Sequence, residues 1–348
     1  MINKDIYSLA YINRLREKYQ KDPALLERVL YAFGLLEAIV RTGMPLIFKG
    51  GTSLMLLLDH PQRLSTDIDI LVPPGTDVVK YIQAASQLFP FSSFEEDYRL
   101  SKNKIEKRHF KFIYHSPLRN NEFYILLDVV FASSPYSVTA SLEIKNELLL
   151  TQGQPIKVSV PTVECILADK LTAFAPHTTG VPFGVNKNLE IVKQLFDIAT
   201  LSNIITDYSS LAQTYHKAVR DEIGYRNSEI TEEDVLKDTI RSTACIIGKG
   251  VYYKDEYPLF LNGIRSIRGH IISINYNASL AAEQACHVMY LAACLLTDNE
   301  YIPVDDPLPY IGRNISQTPY RKLSYMRRQN AEAFSYLCKA LELLNNNL

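Results

Sequence analysis

The chain has 348 residues, with 37 basic and 38 acidic side chains and a formal net charge of −1. A hydrophobic share of 47% is that of a folded globular chain and excludes disordered or collagen-like classes. The near-neutral balance excludes a surface that is basic throughout, but leaves room for local basic patches.

At about 150 residues per domain the length suggests two domains, or one core with a large extension. Residues 1–22 are charged throughout and lack the apolar stretch of a signal peptide. Up to about 43 the chain reads as helical, with Leu25, Leu26, Val29, Leu30, Phe33, Leu36 and Ile39 at helical spacing. Gly43 and Pro45 stop that pattern. Short apolar runs suited to strands follow at 46–48, 67–72, 109–114, 123–131 and 156–160, with helical stretches such as 76–89 between them. This mixture points to an α/β or α+β core on a modest sheet, of which the mixed α+β class is the one expected. After Pro161 the pattern is helical to the end, and Pro and Gly cluster at 176–184 as a loop or hinge. The resulting division is an N-terminal helical segment (1–43), a core (44–180) and a helical C-terminal domain (181–348). The apolar run 287–297 falls short of the roughly 18 residues a membrane span requires and reads as a buried helix, so no membrane partner is expected. Five cysteines with no CxxC pair fit reduced, packed thiols in a cytoplasmic protein.

The chemistry concentrates in residues 46–72. A strand, Leu46–Phe48, leads into Gly50–Gly51, then Thr52–Ser53 and an apolar helix. Glycines let backbone approach a ligand, and the helix N-terminus offers N–H groups to an anion. Thr52 or Ser53 serves equally well as a helix cap. Asp67 and Asp69 alternate with Ile68, Ile70 and Val72, and on a strand that period puts both carboxylates on one face. Adjacent carboxylates repel unless a cation lies between them, and Mg²⁺ takes one or two carboxylates together with substrate phosphates. Asp128 interrupts the otherwise apolar run 123–131, which reads as a fully buried strand where an unpaired charge is costly. It is either a structural Asp satisfied by neighbours or a third metal-binding carboxylate.

Lys49–Ser53 (KGGTS) followed by Arg63–Ile70 (RLSTDIDI) resembles the signature of the AbiEii/AbiGii-type (MenT-like) toxin nucleotidyltransferases, within the DNA polymerase β-like nucleotidyltransferase superfamily. Ser53 and Asp67 are separated by the 13 residues Leu54 to Thr66, compatible with the superfamily's spacer. The resemblance implies a polymerase β-like core with a small mixed sheet. It makes Asp67, Asp69 and Asp128 the ligands of Mg²⁺ (or Mn²⁺) and puts Gly50, Gly51, Thr52, Ser53 and Ser65 on the nucleotide. Lys170 resembles the family's nucleotide-binding lysine, and Lys193 with Asp197 its later acidic helix. Two departures stand out: Leu54-Met55-Leu56 replaces a Ser-Lys pair, and Gln194 follows Lys193 where an Asp is common.

Independently, Thr162 and Glu164 suit a helix start on which Val163, Leu167, Lys170 and Phe174 form one stripe. Lys170 then either snorkels or meets anions in a cleft. Lys193 and Asp197, at i and i+4, also suit a simple surface pair. His60, His177 and His287 show no zinc-type spacing, and His287 reads as a core histidine.

Two segments are locally basic. Residues 99–111 carry Arg99, Lys102, Lys104, Lys107, Arg108 and Lys111 against Glu106, and 312–330 carry Arg313, Arg321, Lys322, Arg327 and Arg328 with no acid. Tyr320 and Tyr325 interleave the second, a pattern suited to phosphate contacts and stacking on unpaired bases. Solvated helix faces would look the same. The expectation is a Mg²⁺-dependent nucleotidyltransferase that uses an NTP, and the family resemblance implies a toxin that modifies a tRNA 3′ end and is restrained by an antitoxin. The competing readings are the same chemistry on a small molecule or protein hydroxyl, and an inert binding protein of the same fold.

Overall fold

A computed structural model describes residues 1–98, 105–226, 229–272 and 274–345. The chain forms two compact units. One is Met1–Thr162 with Gly269–Ile274, the other Val163–Arg268 with Asn275–Leu348. Compactness thus divides the chain after Thr162, where composition runs the core to 180, and joins residues 1–43 to the sheet.

In the first unit, α1 (Leu9–Tyr19) precedes α2 (Pro23–Arg41). Asp22 caps α2, its Oδ1 accepting from Ala24 N at 2.8 Å, and Pro23 sits in the first turn, where its missing N–H costs nothing. The strands and helices then follow as β1 (Ile47–Lys49), α3 (Gly50–Leu57), β2 (Ile68–Val72), α4 (Val78–Ser86), β3 (Phe91–Glu96), β4 (Glu106–Ser116) and β5 (Asn121–Phe131). Five strands make one mixed sheet in the order β1-β2-β5-β4-β3, with β2 and β5 parallel and the other pairs antiparallel. β6 (Thr139–Glu143) and β7 (Lys157–Pro161) form a separate antiparallel pair.

Alternation decides which side of the sheet is core. Phe48, Ile68, Ile70, Phe110, Phe112, Ile125, Leu127 and Val129 are all fully buried. Helices α2 and α4 pack on the sheet. Within this core the Glu27 carboxylate, 2% exposed, accepts from Tyr114 Oη at 2.9 Å, Ser116 Oγ at 3.0 Å and Leu118 N at 3.3 Å, so the buried charge is satisfied. Five strands match apolar runs in the sequence. β3 and β6 (FSSFEE and TASLE) do not, because strands this polar carry little hydrophobic period.

The second unit is helical: α5 (Val163–Ala173), α6 (Asn188–Ser202), α7 (Tyr208–Arg226), α8 (Glu232–Ile247), α9 (Tyr257–Ile267), α10 (Ala278–Leu296), α11 (Leu308–Ile311), α12 (Met326–Gln329) and α13 (Ala331–Asn345). A reciprocal capping box between Thr231 and Asp234 starts α8. By contrast, the Thr162 hydroxyl is buried without a partner, so the side-chain cap expected of it is not made. α10 packs against α6, α8 and α13. It is long and apolar enough to cross a membrane by length and composition, but 67% of that window is buried inside the fold, as in a core helix. All five cysteines are buried thiols; burial pushes Cys245, Cys294 and Cys338 up to about 12.

Candidate active site

In the first unit, three short pieces meet: the β1–α3 turn, the approach to β2 and the middle of β5. Lys49 ends β1 in extended backbone, and Gly50 follows at φ +79°, a left-handed conformation open to a residue without a Cβ. Space demands glycine as well. A Cβ at Gly50 would stand 2.8 Å from Asp69 Cγ, with Oδ2 nearer still. The Asp69 carboxylate therefore lies directly on the turn. At Gly51 a Cβ would meet Arg63 Nη2 at 2.5 Å and Ser65 Oγ at 3.0 Å. The buried Arg63 is itself held by the returning segment 269–274, through a β-bridge to Ile271 and a bond from Leu64 N to His270 O of 2.8 Å.

Neither Thr52 nor Ser53 is a side-chain cap. The Thr52 hydroxyl donates to Asp67 O at 2.6 Å and the Ser53 hydroxyl to Gly50 O at 2.8 Å. Both residues are fully buried, and α3 carries no side-chain cap bond at Lys49. The hydroxyl protons are thus spent on fixing the turn. What the turn has for an anion is the backbone N–H groups of the first helical turn.

Strand register draws the charged groups into one line. Lys49 pairs with Asp69 across β1/β2, Asp69 with Asp128 across β2/β5, and Asp128 with His109 across β5/β4. Paired residues project to the same face, and adjacent strands lie about 4.8 Å apart. Asp69 and Asp128 are therefore immediate neighbours. His109 Nδ1 lies 2.6 Å from Asp128 Oδ1. The Asp128 side chain is 29% exposed, which corrects the expectation of a fully buried strand. β5 is apolar on both faces, but only Ile125, Leu127, Val129 and Phe131 enter the core.

Asp67 is placed differently. It precedes β2, and its carboxylate lies 3.5 Å from Arg28 Nη2 of α2. Among the described residues no group of three or more His, Cys, Asp or Glu is gathered to hold a metal ion. The fit to a divalent cation therefore rests on the Asp69–Asp128 pair. Two hard carboxylates on an accessible face are what Mg²⁺ uses alongside substrate phosphates.

Lys170 and Asp197 belong to the second unit, on α5 and α6. Lys170 Nζ and Asp197 Oδ2 are 3.0 Å apart, with side chains 8% and 2% exposed. They form a buried ion pair, one that the helical spacing of Lys193 and Asp197 did not suggest. Lys193 instead pairs with Glu190 at 2.9 Å.

The basic segments separate into structural and open cations. Arg99, Lys102 and Lys104 lie outside the described residues. Arg108 makes a two-pronged bond to Glu96, both contacts 2.7 Å, and Lys111 lies 3.8 Å from Asp97. In the second segment Arg313 pairs with Glu342 at 2.9 Å, and Arg327 donates to Arg313 O. Arg321, Lys322 and Arg328 are exposed and make no ion pair among the described residues. The tyrosines are half-buried anchors: Tyr325 donates to Ile247 O, and Tyr320 packs edge-on to Tyr252 at 5.4 Å. They do not offer the open stacking faces the sequence suggested.

The sequence reading passed over two residues of this line, Lys49 and His109. In 109–114 the alternation sets His109 and Lys111 opposite Phe110 and Phe112, a signal that was present. Their pairing with Asp69 and Asp128 depends on register, for which the sequence carries no signal.

The model of the family described as "Nucleotidyl transferase AbiEii toxin, Type IV TA system" matches residues 35–259, which include Lys49, Gly50, Gly51, Asp67, Asp69, His109 and Asp128. The chain belongs to that family. It is a nucleotidyltransferase, and the family is that of the toxin component of a toxin–antitoxin system. No curated protein matches it in sequence. Among solved structures it is similar to JHP933 from Helicobacter pylori, at 13% identity and a TM-score of 0.42, covering 78% of this chain and 93% of that one. An antigenic nucleotidyltransferase-like protein from Paracoccidioides brasiliensis is also similar, at 16% identity and a TM-score of 0.37, covering 57% and 87%.

Proposed function

We propose that this AbiEii-family protein is a Mg²⁺-dependent toxin that transfers a nucleoside monophosphate from an NTP to the 3′-terminal hydroxyl of a tRNA in the bacterial cytoplasm, under restraint by a cognate antitoxin. The observation that carries the chemistry is the pairing of Asp128 with Asp69, whose carboxylate lies on the Gly50 turn. Asp69 and Asp128 would hold the divalent cation. The bound cation supplies Lewis-acid stabilisation of phosphate charge and lowers the pKa of an oxygen it binds.

The remaining work falls to the chain. First-turn N–H groups of α3 bind phosphate oxygens, helped by the dipole of the helix. The acceptor hydroxyl oxygen attacks the α-phosphorus, and its bond forms as the bond to the β-phosphate oxygen breaks. A site carboxylate takes the hydroxyl proton, and pyrophosphate departs with the electron pair. The exposed cations Arg321, Lys322 and Arg328 support an RNA acceptor over a small molecule, because phosphate contacts account for much of nucleic-acid affinity.

The test is incubation with total RNA, each labelled NTP in turn and Mg²⁺, beside Asp69→Ala. Label should appear in tRNA with one nucleotide and vanish in the variant. No RNA labelling with any nucleotide would reject the RNA acceptor, and labelling that survives Asp69→Ala would reject the assigned site. Charge reversal at Arg321, Lys322 and Arg328 should weaken labelling most at low salt and flatten its salt dependence, because fewer phosphate contacts release fewer counterions; unchanged labelling would remove the second segment from the RNA path.

A further inference from the structure

We propose that His109 is a positioning residue for the metal-binding carboxylate Asp128: it donates its Nδ1 proton to Asp128 Oδ1 and so turns Oδ2 toward the cation. The inference rests on the reading of Asp128 as a metal ligand. Its starting point is the 2.6 Å contact between His109 Nδ1 and Asp128 Oδ1. A carboxylate has no proton to give, so the imidazole is the donor and the proton is on Nδ1. That contact is at the short end for a charge-assisted hydrogen bond. One oxygen of Asp128 is thereby committed, and among the described residues Oδ2 takes no hydrogen bond.

The donor is held as firmly as the acceptor. His109 and Asp128 face each other in mid-strand on β4 and β5, each 11 residues long. Backbone on the far side of β4 is also tied, since Asp97 N donates to His109 O at 2.8 Å. The imidazole is 17% exposed, so water competes little for Nδ1. Lys49 and Asp69 complete the line on the other side of Asp128. The row therefore runs donor, carboxylate, carboxylate, cation. A carboxylate clamped through one oxygen keeps the other at fixed bearing without having to be ordered when the cation arrives. Hydrogen-bond partners of ligating side chains act in this way, and their loss typically weakens metal affinity by about 10- to 100-fold.

The experiment is titration of the full-length protein with Mn²⁺ alone, the free ion being counted by its electron paramagnetic resonance signal. Wild type is compared with Asp128→Asn, His109→Phe and His109→Asn, with thermal melts alongside. Phenylalanine keeps the ring's bulk without a donor, and asparagine restores an N–H close to the position of Nδ1. Expected are loss of binding in Asp128→Asn, about tenfold or greater weakening in His109→Phe, and recovery to within about threefold of wild type in His109→Asn. Rescue by asparagine is the readout that a merely packed histidine would not move. If Asp128→Asn abolishes binding while His109→Phe binds as wild type does, the positioning role is wrong and the metal reading stands. Weakening in His109→Phe without rescue by asparagine also overturns it, since the ring would then act by something other than this donated bond. Wild-type affinity in Asp128→Asn, or no Mn²⁺ uptake by the wild type, overturns the metal reading and this inference with it.

Discussion

Gly50→Ala separates backbone strain from collision with the site. Gly50 has φ +79°, and a left-handed alanine costs about 1 kcal/mol. Gly75 also has φ +79°, but a Cβ there meets nothing within 4 Å. The two substitutions therefore carry equal strain and differ in one contact. At Gly50 the new carbon would stand 2.8 Å from Asp69 Cγ, against roughly 3.5–4.0 Å for carbons at rest. The carboxylate must retreat by about 1 Å, and a displacement of that size at a reacting centre costs about 100-fold in rate. Gly75→Ala should melt about 2–4 °C lower, and Gly50→Ala by at least as much. In labelled-nucleotide transfer, Gly75→Ala should keep wild-type kcat while Gly50→Ala loses about two orders of magnitude. If Gly50→Ala works as well as Gly75→Ala, the carboxylate is not seated on the turn in the active enzyme and the reasoning fails.

Two further predictions concern the second unit. Removing one partner of the buried Lys170–Asp197 pair leaves an uncompensated charge, so Asp197→Ala should lose about 3–5 kcal/mol in denaturant unfolding, whereas the double change Lys170→Met with Asp197→Leu regains most of it. A loss below about 1 kcal/mol in the single variant would show that water reaches the pair. His287, stacked on Tyr336 at 3.9 Å, has its pKa lowered by burial from 6.5 to about 4. A depressed histidine stabilises the fold fully above the unfolded value and loses that contribution as pH falls toward the folded one. About 2 kcal/mol should therefore disappear between pH 7.5 and pH 5. In His287→Phe this part of the acid sensitivity should be absent, so parallel losses in wild type and variant would remove His287 as its source.

Local chemistry was legible because it is written in adjacent residues. The Gly50–Gly51 turn, the Asp67-Ile68-Asp69 alternation, the solitary Asp128 and the helical character after Pro161 all follow from period and residue type, and they carried the family resemblance. Whether β5 was buried on one face or two was not legible, because Leu126 and Val130 are as apolar as Leu127 and Val129. Nor were the spent hydroxyls of Thr52 and Ser53, whose acceptors are Asp67 O on the approach to β2 and Gly50 O in the turn. The partnership of Lys170 with Asp197 joins two helices, and helical spacing on one of them pointed to Lys193 instead. The sequence by itself determined which residue types face each side of a strand or helix, since 2.0 and 3.6 residue periods are properties of the backbone. Only the tertiary structure decided which strands lie side by side. Register across β1, β2, β5 and β4 turned four distant residues, Lys49, Asp69, Asp128 and His109, into one row, because hydrogen-bonded pairing between strands depends on the whole sheet and on no single segment of it.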